Sequence, residues 1–216
     1  MAHKLFGNIS LCWRPKSGDR RQIVGVIHQS ASGITFKYND TARGLEHFTP
    51  LASFPDLNQE YNINVLENFS QRLTRPERPD IQRYYDFWKI EPEYRDDKLY
   101  ILAKTQGLQA GDMFEFLADY NPIKGMNFVS EICGLTHAKL PSDTLHIGEQ
   151  LKWKAEPENK HDKYAIALYK GDMKLGYVKL VHNRVFAKHR GNIQIEVMSI
   201  ETNGHLNKAY IRIFLK

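Results

Sequence analysis

The chain has 216 residues, 42% of them hydrophobic and 12% aromatic, with a formal net charge of +5. That is ample apolar material for packed cores and excludes a lastingly disordered chain, while no apolar run is long enough to span a bilayer. The charge is one-sided: residues 1–120 carry 15 Lys and Arg against 16 Asp and Glu, whereas residues 121–216 carry 15 against 9.

The opening "MAHKLFGNISLCWRPKSG" has neither the basic start nor the long apolar centre of a signal peptide. Cys12 and Cys133 are the only cysteines, far apart in sequence. A soluble, cytoplasmic protein without a disulfide framework is the expectation. "QIVGVIHQ" and "GITFKYN" read as two strands of a hairpin, with Gly33 supplying the turn. "FTPLASFPDL" is too rich in Pro for a helix interior. "NVLENFSQRL" places Val65, Leu66, Phe69 and Leu73 on one helical face, with Asn64 as N-cap. In a second helix, entered through Pro79, the residues Ile81, Tyr84, Tyr85 and Trp88 fall at i, i+3, i+4, i+7 and predict a core-facing stripe. "KLYILAKTQG" predicts a third helix, stopped by Gly107, and "DMFEFLADY" returns to strand composition. Residues 1–120 are therefore expected to form an α+β domain.

"DYNPIKGMN" combines turn residues with the change in charge balance and puts the boundary near residues 122–125. Beyond it "NFVSEICG", "EQLKWKAE", "YAIALY", "LGYVKL", "IQIEVMSI" and "AYIRIFL" predict six short strands, with "KGDMK" as a hairpin turn. Leu151, Trp153 and Ala155 alternate with Lys152 and Lys154, which predicts one buried and one basic face. A short helix in "VHNRVFAKH" sends Val181, Val185 and Phe186 to the core. Residues 126–216 are thus expected to form a small, mostly-β barrel with one or two short helices.

Between Met173 and Ile195 stand five Lys and Arg and no acidic residue, the place where a nucleic acid would feel long-range attraction. Just upstream lies "EPENKHDKYAIALY", with Glu156, Glu158, Asp162 and Lys163 in its polar part. Carboxylates with a lysine are also the parts of a metal-dependent nuclease, and an ordinary inter-strand loop needs polar residues as well. Cys133, His137, His146 and His161 lack the paired spacing of a structural zinc site, and no carboxylate marks a Cys–His dyad. No metal or other cofactor is expected.

Gly134-Leu135, Gly148 with Leu151, Glu156, Pro157, Asn159, Asp162, Ala165 and Ile166, and then Gly176-Tyr177 stand in the order of a HIRAN domain, which residues 126–216 resemble. The resemblance implies a DNA-binding barrel, in some eukaryotic members a reader of single-stranded 3′ ends. In those members two aromatic side chains hold the terminal bases and an Asp meets the terminal hydroxyl. Carried over, Asp162 is the hydroxyl contact beside Asn159, and His161 and His137 take the aromatic positions. Tyr177 and the cations Lys152, Lys154, Lys179, Arg184, Lys188 and Arg190 would follow the backbone. Both stacking positions are His here, and Thr136 stands where a basic residue is usual.

In the first half, "VGVIHQSASGITFKY", "PLASFPDL" and "NVLENFSQRL" resemble the N-terminal subdomain of HipA-type kinases over residues 5–118, with Ala52 in place of the usual Ser. Since no kinase core follows, this resemblance implies a protein-binding module, with an antitoxin-like regulator of a HipA-type kinase as the alternative to a DNA-binding role. The reading as a whole is a non-enzymatic DNA-binding protein coupled to a protein-interaction module.

Overall fold

A computed structural model of the chain describes residues 5–16, 19–188 and 192–215. They divide into two compact units, Met1–Asp119 and Tyr120–Lys216. No helix among the described residues is long and apolar enough to cross a membrane.

The first unit is built on strands β1 (Phe6–Trp13), β2 (Gln22–Ser30), β3 (Gly33–Tyr38), β4 (Glu60–Tyr61) and β5 (Phe114–Tyr120), in the sheet order β4-β3-β2-β1-β5. The expected β2–β3 hairpin forms, but its two-residue turn is Ala31-Ser32, and Gly33 opens β3 opposite Ser30 instead of supplying the turn. Helices α1 (Asp40–Gly44), α2 (Val65–Ser70), α3 (Ile81–Trp88) and α4 (Lys98–Thr105) complete the unit. The Pro-rich stretch stays irregular but delivers Phe54 to an aromatic cluster with Phe36 and Phe69, at centroid distances of 4.8–5.2 Å. Such edge and tilted contacts add to the area that three large rings remove from water.

Local details depart from the sequence reading in instructive ways. Asn64 does not cap α2: it sits in the left-handed region, φ 52°, with no side-chain cap bond. Asparagine tolerates that conformation, so here it serves as a turn residue. Capping falls to Asn39, which accepts the Ala42 amide and starts the unanticipated α1, and to Asp97, which accepts the Tyr100 amide. Helix α4 already ends at Gln106, itself left-handed at φ 63°, one residue before Gly107.

The second unit holds β6 (Asn127–Cys133), α5 (Leu135–Ala138), β7 (Lys152–Ala155), β8 (Ile166–Lys170), β9 (Met173–Val178), α6 (Arg184–Lys188), β10 (Ile193–Thr202) and β11 (Leu206–Leu215). Its sheet order is β10-β11-β6-β9-β8-β7, and it curls because the segment leading into β7 returns to β10. The Gly148 and Leu151 amides donate to the Val197 and Ile195 carbonyls at 2.7 and 2.9 Å, and the Val197 amide donates to the Glu149 carbonyl at 2.9 Å. Phe128, Leu168, Leu175, Val185, Ile195 and Ile213 line the core, each at most 1% exposed. Trp153 is only half-buried, its indole donating to the Ile193 carbonyl, and Ala155 is exposed rather than buried, at the end of the edge strand β7. Tyr120 stacks on Phe128 at 3.8 Å, and His182, fully buried, meets both rings and Ser130 Oγ at 2.9 Å.

Candidate nucleic-acid interface

The polar segment that leaves β7 forms a lip of consecutive turns before entering β8. Its base is a charged knot. Lys174 Nζ donates to Glu156 Oε1 and to the Tyr177 hydroxyl, both at 2.7 Å, and that hydroxyl donates to Glu156 Oε2 at 2.9 Å. Asn159 Nδ2 reaches Glu156 and Tyr177 at 3.4 Å. The Lys174 ammonium beside it, with the Tyr177 and Asn159 bonds, holds the Glu156 carboxyl below the ordinary carboxylate range against the opposing effect of burial. Burial works against the Lys174 ammonium, but its bonds to Glu156 and Tyr177 raise it above the usual lysine range. The knot spans the end of β7, the lip and β9, so it fixes where the lip stands.

The lip's second anchor is Asp162. One carboxylate oxygen accepts the Tyr164 amide at 2.9 Å and the other accepts Asn183 Nδ2 at 2.6 Å. Asn183 is 2% exposed and lies in the turn before α6, where its amide donates to the Lys179 carbonyl at 3.1 Å. That turn is bought with strain: buried Val181 has φ 70°, a region costly for a β-branched residue. Arg184 follows Asn183 directly, half-buried. Asp162 and Asn183 therefore meet directly, with Arg184 next in the chain.

Several sequence-derived residues fall elsewhere. Lys179 is corrected outright as a phosphate contact: it is 0% exposed, with its Nζ 3.2 Å from Glu131 Oε2, so it cannot reach a ligand in solvent. Its ammonium is held inside by Glu131, an ion-pair partner 48 positions earlier that no local pattern announces. Lys188 is exposed, but its ammonium already donates to the Tyr120 carbonyl and Asn121 Oδ1 at 3.1 and 3.3 Å. Lys152 and Lys154 are exposed on β7, two positions apart on one face and leading straight to the lip. His161 is exposed on the lip, and His137 is exposed on α5, which packs on β9 and β11. Arg190 lies outside the described residues.

The parts of a nuclease centre do not converge. Glu156 is turned onto Lys174 and Tyr177, Asp162 onto Asn183, and among the described residues no group of three or more His, Cys, Asp and Glu is placed to hold a metal ion. The Glu156–Lys174–Tyr177 knot and Asn183 escape a linear reading because their partners lie 18 to 21 residues away.

Residues 125–215 match the HIRAN domain model. HIRAN domains are DNA-binding in general. The match begins at residue 125 and does not confirm the HipA-type resemblance of residues 5–118. Among solved structures, the HIRAN domain of human HLTF is similar at 16% identity and a TM-score of 0.32, over 40% of this chain and 74% of that one. A protein from Lactobacillus plantarum is similar at 21% identity and a TM-score of 0.31, over 39% of this chain and 90% of that one. No curated protein matches the chain.

Proposed function

We propose that the HIRAN-domain unit is a non-enzymatic DNA-binding module that takes the 3′ end of a single strand at the lip. The observation that carries this reading is the double anchoring of Asp162. Its two oxygens each accept one bond from within the protein, to the Tyr164 amide and to Asn183, yet a carboxylate offers about four acceptor sites. A terminal hydroxyl can therefore donate to Asp162 without displacing either anchor, and the carboxylate is already oriented for it. A terminal phosphate would meet the same carboxylate as a like charge. Arg184, Lys152 and Lys154 supply cations around the lip for the backbone.

Fluorescence anisotropy of labelled single strands ending in a 3′ hydroxyl or a 3′ phosphate tests this. A hydrogen bond to a charged group contributes about 1.5–3 kcal/mol, so the hydroxyl end should bind roughly 10-fold or more tighter. Asp162→Asn keeps an oxygen for the Tyr164 amide and removes the charge, and should erase most of that preference. Equal affinity of the two ends for the unaltered protein sinks the end-reading. Separately, Arg184→Ala should weaken binding to all sequences alike and reduce the slope of log K against log salt by about one unit. An unchanged slope would remove Arg184 from the interface.

A further inference from the structure

The lip repeats one plan twice. Asn159 Oδ1 accepts the amide of His161 at 3.0 Å, and Asp162 Oδ1 accepts the amide of Tyr164 at 2.9 Å. Each side chain closes a turn on the ring-bearing residue two positions later. A lysine stands between in both cases, Lys160 in the first turn and Lys163 in the second, so the segment reads Asx-Lys-ring, Asx-Lys-ring. Lys160, His161, Lys163 and Tyr164 are all exposed.

Tyr164 is the feature left unexplained by the resemblance and by packing. It is 38% exposed, among the few large apolar side chains left in solvent, while the next residue, Ala165, is 5% exposed. Its backbone is nevertheless fixed, because the Ala165 amide also returns to the Asp162 carbonyl at 2.9 Å. Lys163 Nζ lies 5.1 Å from the centre of its ring, a cation–π arrangement that keeps the ammonium beside the aromatic face. A ring on a fixed backbone, partly open to solvent and accompanied by a cation, has the parts of a single-strand stacking platform, since every base has a face to stack and every nucleotide a phosphate.

We infer that Tyr164 is a second base-stacking platform beside His161, so that the lip receives two successive nucleotides of a single strand, with Lys160 and Lys163 meeting their phosphates. The two rings are three residues apart, no more than about 11 Å of chain, which keeps them within one short stretch of strand. The inference rests on the proposed DNA-binding reading and adds to it the number of nucleotides held and the side chains that hold them.

The test uses the full chain and oligonucleotides carrying 2-aminopurine at the terminal or the penultimate position. Stacking on a ring changes the probe's fluorescence, and one of the two positions should respond to Tyr164. Tyr164→Ala should weaken binding at least about 5-fold and abolish that response, whereas Tyr164→Phe, which keeps the face, should retain both. Because Tyr164 is exposed, the Ala variant should keep the unaltered melting temperature, which separates lost stacking from lost fold. If the unaltered protein binds the strand and Tyr164→Ala binds it within about 2-fold with the same fluorescence response, the platform is refuted and the DNA-binding reading survives. If the unaltered protein binds no single strand, both fall together.

Discussion

Gly176→Ala is expected to lower the melting temperature of the second unit by on the order of 15 °C, corresponding to about 3 kcal/mol. A Cβ on Gly176 would stand 2.3 Å from the Cys133 carbonyl oxygen and 3.0 Å from Ile132 Cγ2. The obstructing atom is main chain, so no rotamer change relieves the clash. Relief requires β9 to move away from β6, where Ile132 pairs with Val178 and Cys133 with Tyr177. The same shift would carry Tyr177 away from Glu156 and Asn159, loosening the base of the lip. Gly44→Ala, where nothing lies within 4 Å of the added atom, is the control and should change stability by less than about 0.5 kcal/mol. Thermal unfolding followed by circular dichroism decides the matter. A Gly176→Ala protein melting within about 2 °C of the unaltered one would mean that this close approach does not hold the sheet together.

Lys179→Ala should be comparably damaging, for an electrostatic reason. Removing one partner of a buried pair leaves the other charge without compensation, typically at about 3–5 kcal/mol. Glu131 keeps 19% of its side chain in solvent, so the lower end of that range is expected. The double variant Lys179→Met, Glu131→Gln removes both charges at similar volume and should recover most of the loss, because the cost comes from a part-buried carboxylate that has lost the Lys179 ammonium. Denaturant titration of the three proteins separates this from simple loss of packing. Lys179→Met should also leave the salt dependence of DNA binding unchanged, in contrast to Arg184→Ala. A drop of about one unit in that slope for Lys179→Met would place Lys179 against a phosphate after all.

The contrast between Lys179 and Arg184 marks the boundary of what the sequence makes legible. Strands with alternating or β-branched runs, such as 22–30 and 206–215, are readable because about one residue in two faces a core. The stripe through Tyr85 and Trp88 is readable for the corresponding helical reason. A basic run has no such periodic constraint, and Lys179 is buried where Glu131, 48 positions earlier, arrives opposite it. Asn64 looks like a cap but sits in a left-handed turn, since side-chain capping and left-handed tolerance favour the same residue type. Val181 was readable as core but not as strained, for no composition signals a β-branched residue at positive φ. In the lip, the motif residues Asn159 and Asp162 were legible as polar turn formers. Their pairing with Tyr177 and Asn183 was not, because it depends on how β9 and the start of α6 close over the segment.

The seam between the approach to β7 and β10 has a kinetic consequence. The β8–β9 and β10–β11 ladders join neighbours in sequence through short turns, and such hairpins form in about 1–10 μs. The seam instead joins Gln150 to Glu196, whose side chains meet at 3.1 Å across 46 positions. Long-range pairings of this kind carry the loop-closure entropy that slows folding. The lip begins immediately after the seam, at the end of β7. A chain in which both hairpins have formed but the ring is still open thus holds most of its secondary structure and no assembled lip, so on the proposed reading binding competence arrives with closure rather than with the strands.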